Sequence, residues 1–112
     1  MSESYIVRVK KKITRKEGNS GRIRFIMPVT FSMIGKDVLF QVRDERDRLI
    51  LDKSTDDGIT ITDQTIEIEL LSTDLVGNVG NHEWEMLISE GDDYDTLGEG
   101  CFVVTKRRAR YE

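Results

Sequence analysis

The 112-residue sequence has one cysteine, one histidine, one proline and one tryptophan. A single cysteine excludes an intrachain disulfide, so the chain does not read as a disulfide-stapled secreted module. Cys101 and His82 cannot build a zinc site on their own, and a thiol nucleophile would need both a histidine and a shaped pocket. No stretch approaches the ~20 apolar residues of a membrane-spanning helix. The opening Met1-Ser2-Glu3-Ser4 carries an acid, and no long apolar run follows it. The reading is therefore of a soluble chain without a signal peptide, in a cytoplasm. Gly98 and Gly100 precede an apolar run of strand type, not a helix, so no phosphate-cradling glycine loop is present.

What is present is alternation. Thr65-Ile66-Glu67-Ile68-Glu69-Leu70 alternates apolar and polar residues, and so does His82-Glu83-Trp84-Glu85-Met86-Leu87-Ile88. Successive side chains of a strand point to opposite faces. Ile66, Ile68 and Leu70 should therefore line a core, with Trp84, Met86 and Ile88 facing it. Further strands are expected over 5–9 (prolonged through residue 13), 22–27, 38–43, 49–53, 59–61 and 101–106. Gly18-Asn19, Gly35-Lys36, Asp56-Asp57-Gly58 and Glu90-Gly91-Asp92 supply turns between them. Pro28 marks a bulge, a strand end or an exposed edge. Residues 72–76 are the best place for a helical turn, capped by Ser72 or Thr73. Residues 94–97 read as a short strand or loop. Short strands at roughly 8–12-residue spacing point to a β-sandwich or barrel, and the two apolar faces favour a sandwich.

Charge is unevenly placed. Residues 1–16 carry six basic side chains, including Arg8, Lys10, Lys11 and Lys12, against Glu3. Residues 101–112 carry Lys106, Arg107, Arg108 and Arg110 against Glu112. The body between holds seven basic and nineteen acidic residues, a net of −12. Basic ends on an acidic body suit docking onto a second copy or a neighbouring protein. Nucleic acid fits less well, because only Tyr5 and Tyr111 are available for base stacking at those ends. The bland reading is a pair of solvated strands and a frayed tail.

The acidic residues lack a catalytic pattern. Asp92, Asp93, Asp95 and Glu99 form the densest group, but their spacing misses the calcium-loop pattern and reads as a solvated hairpin. Asp44/Asp47 and Asp56-Asp57 lie in turns, not across a cleft. His82 reads as a turn residue. Cys101, just before Phe102-Val103-Val104, reads as a small buried apolar residue. Trp84 has two readings: a core position shared with Met86, or an exposed platform for a sugar ring.

The order of several motifs is similar to that of a known family. Gly35 precedes Val38-Leu39-Phe40-Gln41-Val42-Arg43-Asp44; Leu49-Ile50-Leu51-Asp52 and Gly58-Ile59-Thr60-Ile61 follow. Next come Ile66-Glu67-Ile68-Glu69-Leu70 with Asp74, Gly80 leading to Glu83-Trp84-Glu85-Met86, and Gly98-Glu99-Gly100-Cys101-Phe102-Val103-Val104. Over residues 20–105 this resembles small β-sandwich proteins of tailed-phage structural gene clusters. The named relative is the N-terminal, virion-attaching domain of the phage baseplate upper protein. The resemblance implies a virion component that attaches a baseplate, tail fibre or head decoration by protein–protein contact, without enzymatic activity or cofactor. It also implies other virion proteins as partners, and a location in the virion after assembly in a host bacterial cytoplasm.

Together these readings predict an all-β, immunoglobulin-like antiparallel β-sandwich over residues 1–106 with a basic tail at 107–112. The expected function is non-enzymatic docking, as a homo-oligomer or one subunit of a larger ring, with no metal or membrane. The candidate docking residues are Arg8, Lys10, Lys11, Lys12, Lys106, Arg107, Arg108 and Arg110. The alternative is a carbohydrate- or receptor-binding module, which requires Trp84, Tyr94 or Tyr111 to be exposed together.

Overall fold

The structure, a computed structural model, describes residues 9–28, 33 and 35–107. These residues form nine strands and no helix: β1 Val9–Lys10, β2 Ile13–Lys16, β3 Gly21–Ile26, β4 Asp37–Arg43, β5 Leu49–Thr55, β6 Gly58–Thr62, β7 Thr65–Leu70, β8 Gly80–Glu90 and β9 Asp93–Thr105. The alternation of β4, β7 and β8 translates directly into burial. Val38, Phe40 and Val42 are inside, as are Ile66, Ile68 and Leu70, and Trp84, Met86 and Ile88.

The strands make two layers. The larger has the order β1/β2, β9, β8, β4, β5, and the smaller has β6, β7, β3. The two join through a two-residue parallel contact of β5 with β6. β4, β8 and β9 pair antiparallel, as do β6, β7 and β3. β1 and β2 instead run parallel to β9, in one continuous register from Val9↔Gly98 to Lys16↔Thr105. The purely antiparallel expectation thus holds for the body of both sheets, with parallel pairing at the first strand and at the β5–β6 contact. This order is that of an immunoglobulin-like sandwich whose larger sheet has an added edge strand.

Aromatic rings bridge the layers. The Phe25 ring of β3 lies 5.5 Å from Trp84, and Trp84 stacks on Phe40 at 5.5 Å. Phe102 meets Phe40 edge-on at 6.4 Å. Such offset and tilted pairs add to the area they bury. The buried indole N–H also needs a partner, and donates to the Lys11 carbonyl at 2.8 Å. Lys11 and Lys12 are the residues that separate β1 from β2. Gly98 and Gly100 lie opposite Met86 and Trp84 in the register. A Cβ at Gly100 would collide with the Lys11 carbonyl, and one at Gly98 would meet the Trp84 ring at 2.9 Å. The Gly98-Glu99-Gly100 segment is therefore the floor under the tryptophan.

Several local expectations are corrected. Residues 93–105 form a single strand, with a register shift opposite Met86/Leu87, where a short strand or loop and a separate last strand were expected. The extra residue, Leu97, is taken into the core. Residues 72–77 are turns, not a helical turn; the Asp74 carboxylate, rather than Ser72 or Thr73, accepts the Leu71 N–H at 2.7 Å. Cys101 is exposed, not buried. It pairs with Glu83 on the outward side of the sheet, because Phe102 takes the inward position. His82 lies in β8 itself. The first strand begins, among the described residues, at Val9; the expected segment 5–8 lies outside them.

Candidate docking surface

The outward side of the larger sheet follows from the register. Residues that alternate with the buried ones share this face: Leu39, Gln41 and Arg43 on β4, Asp52 and Ser54 on β5, Glu83, Glu85 and Leu87 on β8, and Tyr94, Thr96, Glu99 and Cys101 on β9. Two shallow depressions lie side by side on it. One, of about 370 Å³, is lined by Leu39, Leu87, Tyr94, Ser54 and Thr55 among others. The other, of about 500 Å³, is lined by Gln41, Arg43, Glu83, Glu85, Glu99 and Cys101 among others. Tyr94 is 66% exposed, while Leu39 and Leu87 are half-buried.

The carboxylates on this face are crowded. Glu85 stands directly opposite Glu99, and Glu83 opposite Cys101. Glu85 accepts a hydrogen bond from the Thr96 hydroxyl at 3.2 Å. Arg43 is turned toward Gln41 and the Asp47 side of its loop, with its Nη1 donating to the Asp47 carbonyl at 3.0 Å. Among the described residues, no three or more histidine, cysteine or acidic side chains are grouped so as to hold a metal ion.

The acids expected in turns have structural work. Asp44 Oδ1 accepts the N–H groups of Arg46 and Arg48, each at 2.9 Å, and Oδ2 accepts Arg48 Nε at 2.8 Å. The Arg48 N–H in particular holds the Asp44 carboxyl below its ordinary value. On the outer side of the smaller sheet, Glu67 bridges Arg24 at 2.7 Å and Arg22 at 3.3 Å, and the Arg24 hydrogen bond lowers its pKa. Asp92 and Asp93 are exposed at the β8–β9 hairpin. His82 Nε2 lies 2.7 Å from the Asn78 carbonyl, which only accepts, so Nε2 carries a proton; the buried Nδ1 has no hydrogen-bond partner.

Among the described residues, the terminal basic side chains lie at two ends of one sheet edge. Lys10, Lys11 and Lys12 are exposed along the β1–β2 edge, and Lys10 stands beside Glu99 in the register. Lys106 and Arg107 follow β9 at the other end of that edge. Arg107 folds back, its Nη1 donating to the Gly18 carbonyl at 3.0 Å. Arg8, Arg108 and Arg110 lie outside the described residues. Sequence reasoning missed Lys53. It is opposite Phe40, on the inward side of β5, and reaches Asp74 at 3.0 Å with 11% and 17% of the two side chains exposed. The period-two step from buried Leu51 was the available signal. Gly58, at φ +95°, leaves room for the Lys53 stem.

No family model matches the sequence, and no curated protein does. Solved structures do match by shape. The extracellular domain of the voltage-gated sodium channel β4 subunit, described as a parallel homodimer with a role in cell–cell adhesion, is 13% identical. It covers 100% of this chain and 98% of its own, with a TM-score of 0.52. A candidate glycoside hydrolase from Bacteroides vulgatus is 11% identical with a TM-score of 0.52; 86% of this chain is covered, but only 17% of that protein. CopC from Methylosinus trichosporium OB3b superposes at 0.47, with 12% identity over 92% of this chain and 90% of its own. What this chain shares with the first two is the fold: an all-β sandwich of immunoglobulin-like type.

Proposed function

We propose that this chain is a non-enzymatic adaptor or structural domain of a tailed-phage or prophage particle, acting by protein–protein docking. The position of Trp84 favours docking over the glycan-binding alternative. A sugar platform would need Trp84, Tyr94 or Tyr111 exposed together; Trp84 is 1% exposed, inside the aromatic core. Tyr94 is the one exposed aromatic among the described residues. It sits on a broad sheet face with shallow relief, a shape suited to a protein surface. The virion setting comes from the order of strand and turn motifs, which resembles that of phage sandwich proteins. Mass spectrometry of particles purified from a host strain carrying the gene tests it. The chain is expected at a fixed ratio to the tail and head proteins; particles that lack it would refute the reading.

A further inference from the structure

We propose that a second copy of this chain docks on the outward face of the larger sheet, laying its Lys10–Lys12 edge against Glu83, Glu85 and Glu99. The inference rests on the docking reading above and names the surface and the partner.

Two features of the face ask for a partner. The first is apolar: Leu39, Leu87 and the largely exposed Tyr94 stand on the solvent side of the sheet around one hollow. The second is electrostatic. Glu85 and Glu99 are directly opposed, and like charges in that arrangement repel. Among the described residues, the ion pairs of this protein leave out Glu83, Glu85 and Glu99. Lys10 is next to Glu99 along the register, yet no ion pair joins them.

Complementarity then selects the occupant. An apolar partner would strip water from these carboxylates without replacing it. A nucleic acid would bring phosphates against them. A cationic protein edge answers both features, because lysine stems cover apolar surface while their ammonium groups reach acids. This chain presents such an edge in the consecutive, exposed Lys10, Lys11 and Lys12. Two faces stacked in register would set acid on acid, and two lysine edges side by side would set cation on cation. The copies therefore meet with an offset, edge on face.

Sedimentation equilibrium on the full chain at about 0.1 M and about 1 M salt tests this, since the screening length falls from ~10 Å to ~3 Å. Three further proteins are compared: Glu83→Lys/Glu85→Lys/Glu99→Lys, the isosteric Glu83→Gln/Glu85→Gln/Glu99→Gln, and Lys10→Glu/Lys11→Glu/Lys12→Glu. Circular dichroism melts establish that each is folded. The parent is expected to associate at low salt and dissociate at high salt. Each variant should associate at least about ten-fold more weakly, and an equimolar mixture of the two charge-reversed variants should regain association. A parent that is monomeric at both salts, or glutamine and lysine variants that associate like it, would overturn the proposal. A monomeric parent that is nonetheless present in particles would sink self-docking alone. A self-associating chain that is missing from particles would sink the virion setting alone.

Discussion

Trp84 concentrates the packing of both sheets in one side chain. It touches Phe25 across the sandwich and Phe40 alongside, rests on Gly98 and Gly100, and satisfies its N–H at Lys11. Trp84→Ala is expected to destabilise the domain by about 3–5 kcal/mol, from lost contacts and the residual cavity. Urea titration of parent and variant measures this, and equal midpoints would contradict the core assignment. Cys101 sits at the opposite extreme: an exposed thiol on the outward face. One thiol should react with a disulfide reagent in the native protein without denaturant. A thiol that reacts only after unfolding would place Cys101 inside.

At the scale of elements, β9 and its hairpin with β8 show how one strand serves several ends. Its outer residues carry Tyr94, Glu99 and Cys101, its glycines seat the tryptophan, and its shifted residue, Leu97, fills the core. The acids around the hairpin are expected to be solvated side chains without a metal-binding role. Calcium should leave the melting temperature of the parent unchanged, and Asp92→Asn/Asp93→Asn/Asp95→Asn should fold normally. A calcium-dependent rise in the parent, absent from the triple variant, would show that the loop binds the ion. β5 contributes differently. Lys53 spends an inward position on an ion pair with Asp74 that ties the strand to the β7–β8 loop, where an apolar residue would have only packed.

For the whole molecule, two carboxylates whose pKa values are lowered set an acid limb of stability. Asp44 fixes the β4–β5 loop, and Glu67 joins β7 to β3 through Arg24 and Arg22. Both are more acidic in the folded chain than their ordinary values. Their contribution is therefore fully present above the ordinary carboxylate range, about pH 5, and is lost as pH falls through the lower folded-state values. Urea midpoints measured from about pH 6 down to about pH 2.5 should fall for the parent. They should fall less steeply for Asp44→Asn/Glu67→Gln. Identical slopes would mean that these carboxylates are not coupled to folding.

Alternation in residues 65–70 and 82–88 was enough to establish the β class and the inward faces of β7 and β8, while the structure decided between the two readings of Trp84. Period-two burial is a local property, and the sequence carries it whole. Turn residues set most strand boundaries for the same reason. Sheet assignment was not local. Only the folded chain decides that the first strand runs parallel to the last, that Gly98 and Gly100 form the floor under Trp84, and that 93–105 continues through a shifted register. These depend on which distant backbone approaches, as when the Lys11 carbonyl meets the Trp84 indole. Charge behaved the same way. Lys10, Lys11 and Lys12 stand apart from the acidic body along the chain, but pairing with β9 sets Lys10 beside Glu99. The carboxylates of Glu83, Glu85 and Glu99, spread over seventeen residues, meet on one face. Side-chain direction is written in the sequence, whereas the neighbour it finds is chosen by strand pairing.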